Sequence, residues 1–203
     1  DVIPEDAIVT LITNLSVDLQ NNKIFKKLST RNKVGWSMSF DNIGDRLSYV
    51  RYGADWNLIK ENLAVIKDLM KTQGQWGGVH AVYNVYNATR ICEFRQATEE
   101  LGVSVLWQNL FQPDYLDPFL HSRAVAKLAA EEIEQFYATD LVNDGERIFF
   151  DQALKNYQSV TDNREELTKK FKQHISDIES KYHADKAGEF ARLWPELAGL
   201  INV

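Results

Sequence analysis

The chain has 203 residues, of which 44% are hydrophobic and 26% charged, a composition typical of a soluble globular protein. Its net charge of −6 argues against nonspecific nucleic-acid binding, and no apolar run approaches the roughly 20 residues that a membrane helix needs. We therefore expect neither nucleic acid nor membrane as a partner, and a cytoplasmic location. The single cysteine excludes an internal disulfide framework and fits a reducing compartment.

The first half of the chain alternates between strand and helix patterns. Runs of β-branched and apolar residues predict strands at 7–14, 34–41, 78–87 and 103–109. Apolar residues recur at helical spacing over 55–72, with Asp55 as the expected N-cap, and another predicted helix ends at Gly102. Strands separated by helices predict βαβ units and therefore a parallel sheet with right-handed crossovers.

The second predicted strand has two unlike faces. Its even-numbered residues from 36 to 40 are large and apolar, whereas Ser37, Ser39 and Asp41 alternate with them. A parallel sheet that is covered on both faces usually has continuously apolar strands, so this strand departs from the rule. A partial (β/α) barrel explains the departure, because helices cover its outside and its polar interior faces a ligand near the carboxyl ends of the strands.

The pattern changes after residue 109. A loop with two prolines is predicted first, and everything beyond it is helical. Helices are predicted at 122–139, 145–160 and 162–183, the last with Asp162 as part of its cap, and Pro195 is expected in the first turn of a final helix. We therefore predict an α/β partial barrel over residues 1–120 and an all-helical C-terminal region over residues 121–203.

Polar residues cluster at the predicted carboxyl ends of the strands, where parallel α/β sheets bind ligands. They are Thr13 and Asn14 after the first strand, Ser39 and Asp41 after the second, Asn84, Tyr86 and Asn87 after the third, and Gln108 and Asn109 after the fourth. This set supplies hydrogen-bonding groups but few pairs of nucleophile and base, so it suits the binding of a polar small molecule better than acid–base catalysis. For Asn14, Asn87 and Asn109, a turn or a helix cap is an equally good interpretation.

Three other residues carry chemistry that the sequence alone does not place in a site. On a generic interpretation Arg51 is a surface residue, His80 is a hydrogen-bonded core residue more often than a ligand, and Cys92 is a small buried hydrophobe. The sequence has no G-x-x-x-x-G-K-[ST] phosphate loop, no G-x-S-x-G elbow, no H-E-x-x-H and no paired C-x-x-C.

Four segments, in this order, resemble the later part of radical S-adenosylmethionine (SAM) enzymes of the SPASM/twitch-domain type, of the kind found in phage and marine bacterial sequences. They read "LITN", "WSMSFDNIGDRLSYVRYGADWNLIKENL", "GVHAVYNVYN" and "VSVLWQNLFQPDYLDP". In that family a strand ends in Thr-Asn-Gly and the next carries Ser-x-Asp. A loop with Tyr, Arg, Gly and an aromatic residue follows, and then a helix with Asn before Ile or Leu. The matching residues here are Thr13-Asn14-Leu15, Ser39-Phe40-Asp41, Tyr49, Arg51, Gly53, Trp56 and Asn62-Leu63.

The resemblance covers roughly residues 7–120 and implies a partial (β/α) barrel that binds SAM. A strand residue would contact the ribose, a guanidinium fork would bind the methionine carboxylate, and polar residues after the next strand would complete the pocket. The residues that the resemblance assigns to SAM are Ser39 and with it Asp41 for the ribose, Arg51 for the carboxylate, Asn84 or Asn87 for the rest of the pocket, and Thr13 and Asn14 at the upstream strand end.

The chain also departs from the family pattern. The family's [4Fe–4S] cluster needs three cysteine thiolates in one loop, whereas this chain has only Cys92, and Leu15 stands where the family has Gly. The resemblance therefore implies the C-terminal part of a longer enzyme, with the cluster in the parent only and no activity in this chain alone. The parent would generate a 5′-deoxyadenosyl radical and abstract hydrogen from a peptide or a small-molecule substrate.

Two alternatives stay open at this point. One is a noncatalytic α/β binding or scaffold module that has kept the barrel face without the chemistry. The other is an unrelated α/β-barrel hydrolase or lyase that uses Asp41 and His80.

Overall fold

A parallel sheet forms the centre of the α/β fold, as the alternating pattern predicts. The structure is a computed structural model and describes residues 3–4, 6–160, 165–183 and 188–203. Its strands are β1 Val9–Thr13, β2 Val34–Ser39, β3 Trp76–Tyr83 and β4 Val105–Asn109, and they lie in the order β1-β2-β3-β4. β2 pairs in parallel with both β1 and β3, so the α/β class with a four-stranded parallel sheet is confirmed.

Helices connect the strands and form most of the described chain beyond β4. They are α1 Lys23–Leu28, α2 Gly44–Val50, α3 Trp56–Thr72, α4 Ile91–Glu100, α5 Arg123–Tyr137, α6 Asp144–Gln158, α7 Glu165–Tyr182, α8 Glu189–Leu193 and α9 Pro195–Ile201. Asp55 caps α3 by accepting the backbone N–H of Asn57 at 2.8 Å, and Pro195 begins α9, both as predicted. The predicted cap residue Asp162 lies outside the described residues.

Two stretches that the sequence analysis took as loops are helical in the structure. α2 follows β2 directly, although its N-cap residue, Ile43, makes no side-chain capping bond. The proline-containing stretch after β4 holds two short 3₁₀ helices, Asp114–Leu116 and Pro118–Leu120. Short helices of this kind depend on packing rather than on sequence propensity, which is why periodicity does not detect them.

The chain divides into two compact units. Unit 1 comprises Asp1–Ala81 and Ala97–Leu106, and unit 2 comprises Val82–Gln96 and Trp107–Val203. β3, α4 and β4 each run from one unit into the other, and residue 120, the predicted domain boundary, lies inside unit 2.

One face of the sheet in unit 1 is buried under helices. The large even-numbered residues of β2 lie on this face, and the ring of Trp36 packs on Phe25 of α1 with 5.7 Å between the ring centroids. Phe40, just after β2, packs edge to face on Trp56 of α3, also at 5.7 Å. The apolar face of β2 is therefore the core-facing one, as predicted.

A buried glutamine links this core to the end of α1. The side-chain oxygen of Gln75 accepts the indole N–H of Trp36 at 2.7 Å, and its amide nitrogen donates to the carbonyls of Leu28 and Arg31 at 3.0 and 2.6 Å. Every polar atom of this buried side chain therefore has a partner, which is what burial of an amide requires.

The opposite face of the sheet in unit 1 is open. Ile12 of β1 is 75% exposed and Leu106 of β4 is 59% exposed, while Ser37 and Ser39 are half-buried on the same side of β2. Sheets whose strands are parallel normally have both faces covered, so an open face on such a sheet is unusual.

Unit 2 has an aromatic core with a buried ion pair beside it. The hydroxyls of Tyr83 and Tyr157 hydrogen-bond to each other at 2.8 Å in this core. Nearby, the guanidinium of Arg95 lies 2.6 Å from the carboxylate of Glu146, which also accepts the indole N–H of Trp107 at 3.2 Å. No helix among the described residues of either unit has the length and apolar character to cross a membrane.

Candidate functional site

The carboxyl end of β2 brings together two of the residues that the sequence analysis singled out. Asp41 is only 8% exposed, and its carboxylate accepts the Nε–H of Arg51 at 3.4 Å. Arg51 is the C-cap residue of α2, so the chain folds back through α2 and returns a guanidinium to the strand end ten residues after Asp41. The pair joins an acceptor and a forked donor at the edge of the sheet where ligands of parallel α/β proteins bind.

Three features of the connection hold Arg51 in place. The backbone N–H of Arg51 bonds the carbonyl of Leu47 at 2.9 Å and so closes the last turn of α2. Gly53 follows with φ 83°, a left-handed conformation that favours glycine and allows the chain to turn into α3. Trp56 then anchors the start of α3 on Phe40, next to Asp41 in the chain.

Asn42 lies beside this pair and was missed by the sequence analysis. Its side chain is 3% exposed, and its amide nitrogen is buried without a hydrogen-bond partner among the described residues. An unpaired buried amide costs free energy of about 1–3 kcal/mol, so the Asn42 amide is a hydrogen-bond donor still to be satisfied beside the Asp41–Arg51 pair. The only sequence signal was its position, directly after Asp41 in the loop that follows the strand.

The end of β1 forms a local turn. The hydroxyl of Thr13 accepts the backbone N–H of Leu15 at 3.1 Å, and the side chain of Asn14 accepts that of Ser16 at 3.2 Å. Leu15 has φ 57°, and Asn62 of α3 donates to its carbonyl at 2.8 Å. For Asn14, the alternative interpretation as a turn residue describes the bond observed here.

The asparagines after β3 belong to unit 2 and are held in a turn of their own. The Asn84 side chain accepts the backbone N–H of Tyr86 at 2.9 Å, and the Asn87 side chain accepts the N–H of Asn84 at 2.9 Å. Both amide nitrogens donate to the carbonyl of Val82 at 2.8 Å. These bonds use the amide groups locally, so Asn84 and Asn87 support the turn in addition to any role toward a ligand.

Ser39 and His80 lie side by side on the open face of unit 1. They are register partners on β2 and β3, and both are half-buried. His80 lines a groove of about 480 Å³ on this face together with Ser37. His80 is therefore placed on the polar side of the sheet and not in the core.

Cys92 has the environment of a structural thiol. Burial and the neighbouring Glu132 raise the pKa of Cys92 to about 12, and the backbone N–H of Cys92 donates to the Glu132 carboxylate at 2.9 Å. Cys92 is half-buried, not fully buried as the sequence pattern suggested. Within the described residues, no three His, Cys, Asp or Glu side chains come together as a metal site.

The comparisons with known proteins do not identify a family. No protein-family model, no curated protein and no solved structure matches this chain. The function is therefore argued from the residues and their geometry alone.

Proposed function

We propose that this chain is the C-terminal part of a radical SAM protein of the twitch-domain type and contributes part of its SAM and substrate pocket. The observation that carries the proposal is the Asp41–Arg51 pair at the carboxyl end of β2, with the unpaired amide of Asn42 beside it. The carboxylate of Asp41 can accept hydrogen bonds from hydroxyls, the guanidinium of Arg51 can bind a carboxylate, and the amide of Asn42 can donate a hydrogen bond. SAM has ribose hydroxyls, a carboxylate and acceptor atoms that match these three groups.

Further support comes from contacts between segments of the resemblance that are far apart in the chain. Asn62, matched in the family's helix, bonds the carbonyl of Leu15, matched in the Thr-Asn-Gly turn, 47 residues earlier. Leu15 itself adopts φ 57°, the conformation for which the family's glycine is suited. Trp56 packs on Phe40, so the matched loop and the matched strand also touch.

The open face of unit 1 supports the partial-barrel part of the proposal. In a barrel, helices cover the outside of the sheet and the inner face is left for side chains and ligands. Here the apolar face of β2 is under helices, and Ser37 and Ser39 lie on the open face. A sheet of this kind becomes the wall of a cavity when further strands of a parent close the barrel.

Arg51 has the donors that a carboxylate needs. Its Nε–H is used by Asp41, and its two terminal nitrogens have no hydrogen-bond partner among the described residues. The side chain is one-third exposed, so these nitrogens can bind a carboxylate in a bidentate manner. The cluster of the family does not fit this chain, because Cys92 is its only cysteine and carries a raised pKa, so we derive no step through a cluster.

Calorimetric titration of SAM into the chain tests the proposal. We expect saturable binding that weakens about 10- to 150-fold in Arg51→Met, because a lost charge-assisted carboxylate contact is worth about 1.5–3 kcal/mol. Ser39→Ala should weaken binding by a smaller factor, because a single neutral hydrogen bond is worth about 1 kcal/mol.

The matched control is Arg46→Met, which removes the same charge from α2, five residues before Arg51, at a position that the resemblance does not assign to SAM. It should leave the affinity for SAM unchanged. Equal losses of SAM affinity in Arg46→Met and Arg51→Met would mean that only the net charge of the chain matters. Unchanged SAM binding in Arg51→Met would overturn the assignment of Arg51.

A noncatalytic α/β binding module is the second candidate, favoured by the environment of Cys92. A thiol whose pKa is raised to about 12 is not a thiolate at neutral pH, so this chain contributes no reactive sulfur. This candidate predicts that Asp41→Asn and Arg51→Met have no effect on SAM affinity, because the pair would then serve only to hold α2 against the strand.

A further inference from the structure

We propose that the open face of unit 1 carries a second binding site, a groove that takes a neutral, planar heteroaromatic ring. The groove measures about 480 Å³ and lies across all four strands of the sheet. Its defining residues are Thr10, Gly35, Ser37, Trp76, His80 and Leu106. Asp41 and Arg51 do not line this groove, so the site can be tested apart from them, and it shares with the proposed function the open face on which Ser37 lies.

Glycines form the floor and determine the position of the aromatic wall. Gly35 is the register partner of Trp76, and a Cβ at Gly35 would lie 2.7 Å from the indole nitrogen. Only glycine therefore allows the indole to lie against the neighbouring strand. Gly78 is the register partner of Ser37, and a Cβ there would lie 2.8 Å from the hydroxyl of Ser104, so a side chain at Gly78 would also displace a lining residue.

The walls present apolar surface that a folded chain normally buries. Trp76 is 45% exposed even though its indole rests on the sheet, and Leu106 is more than half exposed. An indole fixed in this way is a stacking platform, because offset stacking of two rings adds about 0.5–1.5 kcal/mol to the area that they bury. The groove volume of about 480 Å³ is within the range of pockets that bind small molecules.

The polar groups of the groove decide what kind of ring it accepts. None of its described lining residues is Asp, Glu, Lys or Arg, although the chain has 52 of these residues (23 basic and 29 acidic). A charged ligand would therefore lose water without gaining a counter-charge, which is unfavourable. The hydroxyls of Thr10 and Ser37 and the imidazole of His80 offer donors and acceptors to heteroatoms at the edge of a ring. A neutral heteroaromatic ring satisfies both conditions, and a nucleic-acid strand does not, because its phosphates need basic residues.

Ligand-detected NMR and calorimetry with adenine, indole and nicotinamide test the site. We expect at least one of these neutral rings to bind saturably, and adenosine 5′-monophosphate to bind about tenfold more weakly than adenine because it adds charge. Trp76→Ala should weaken binding about tenfold, and Trp76→Phe should keep most of the affinity because a ring remains. Phe111→Ala is the matched control, because it removes an aromatic ring that is 81% exposed and is not part of the groove.

Two further variants keep the test decisive. Ser37→Leu fills the groove while Trp76 is kept, and it should abolish binding even if Trp76→Ala does not fold. Arg51→Met should leave ring binding intact, so that a failure of the SAM proposal is distinguishable from a failure of this one. The inference is overturned if none of the three rings binds, or if Trp76→Ala binds them as the parent chain does. It is also overturned if sedimentation shows a dimer that Trp76→Ala converts to monomer, because a second copy would then cover the groove.

Discussion

The buried ion pair of unit 2 gives the sharpest test of the energetics. Arg95 and Glu146 are 6% and 3% exposed, and the carboxylate also accepts bonds from Trp107 and from the backbone and side chain of Asn143. Removing one partner of a buried pair costs about 3–5 kcal/mol, because the other charge stays buried without compensation. Glu146→Gln keeps an acceptor oxygen for the neighbouring donors, so we expect a loss of about 3 kcal/mol, at the lower end of that range.

Urea unfolding followed by circular dichroism and tryptophan fluorescence measures this loss, with an unchanged m-value as the sign that only stability has changed. Glu131→Gln is the matched control, because Glu131 and its partner Lys127 are 50% and 78% exposed and such a pair contributes less than about 1 kcal/mol. Replacing both buried charges, Arg95→Met with Glu146→Gln, should cost less than Glu146→Gln alone, because no buried charge is left and Gln keeps an acceptor oxygen for Trp107 and Asn143. A loss below about 1 kcal/mol in Glu146→Gln would refute the reasoning, since it would mean that the Leu141 carbonyl, which accepts from Arg95 at 3.1 Å, and the other neighbours of Arg95 suffice without the carboxylate.

Three further predictions concern single contacts. Burial lowers the pKa of His121 and of His174, so the unfolded chain binds these protons at a higher pH than the folded chain does. The stability that these neutral histidines contribute is therefore intact above the ordinary histidine pKa and is lost as the pH falls below it, from about pH 7 to pH 5. In His121→Asn, the urea midpoint should decline less over this range than in the parent chain. Tyr157→Phe leaves the buried hydroxyl of Tyr83 unpaired and should lower the unfolding free energy by about 1–3 kcal/mol, whereas the double change to Phe should cost less; additive losses would contradict this. Asp55→Ala removes the N-cap of α3 and should cost about 1 kcal/mol in thermal or urea unfolding, and no loss would show that packing alone holds the helix start.

Local patterns in the sequence predict the parts of the fold that local physics determines. The alternation along β2 predicts which face is buried, because successive side chains of a strand point to opposite sides. Asp55 predicts the start of α3, because a carboxylate before an apolar helical pattern satisfies free backbone N–H groups. The start of α2 has no such signal, since Ile43 makes no capping bond, and it was missed.

The candidate site was predicted only in part, for a similar reason. Asp41 and Arg51 were selected as strand-end and loop residues, but their contact depends on how α2 folds back, which local patterns do not encode. Asn42 was missed because an asparagine in a loop has many roles, and only its burial without a partner distinguishes it. The bond from Asn62 to Leu15 spans 47 residues, and no spacing rule detects a contact of that range.

Gln75 has a consequence for how strands β2 and β3 find each other. Its amide connects the indole of Trp36 with the carbonyls of Leu28, the last residue of α1, and of Arg31, and it lies immediately before the first residue of β3. If β3 slid along β2 by a single position, all three hydrogen bonds would break at once and leave buried groups unpaired. The Gln75 side chain thus disfavours misaligned pairing of β2 and β3. We expect Gln75→Leu to give a chain that still collapses but populates more than one register of these two strands.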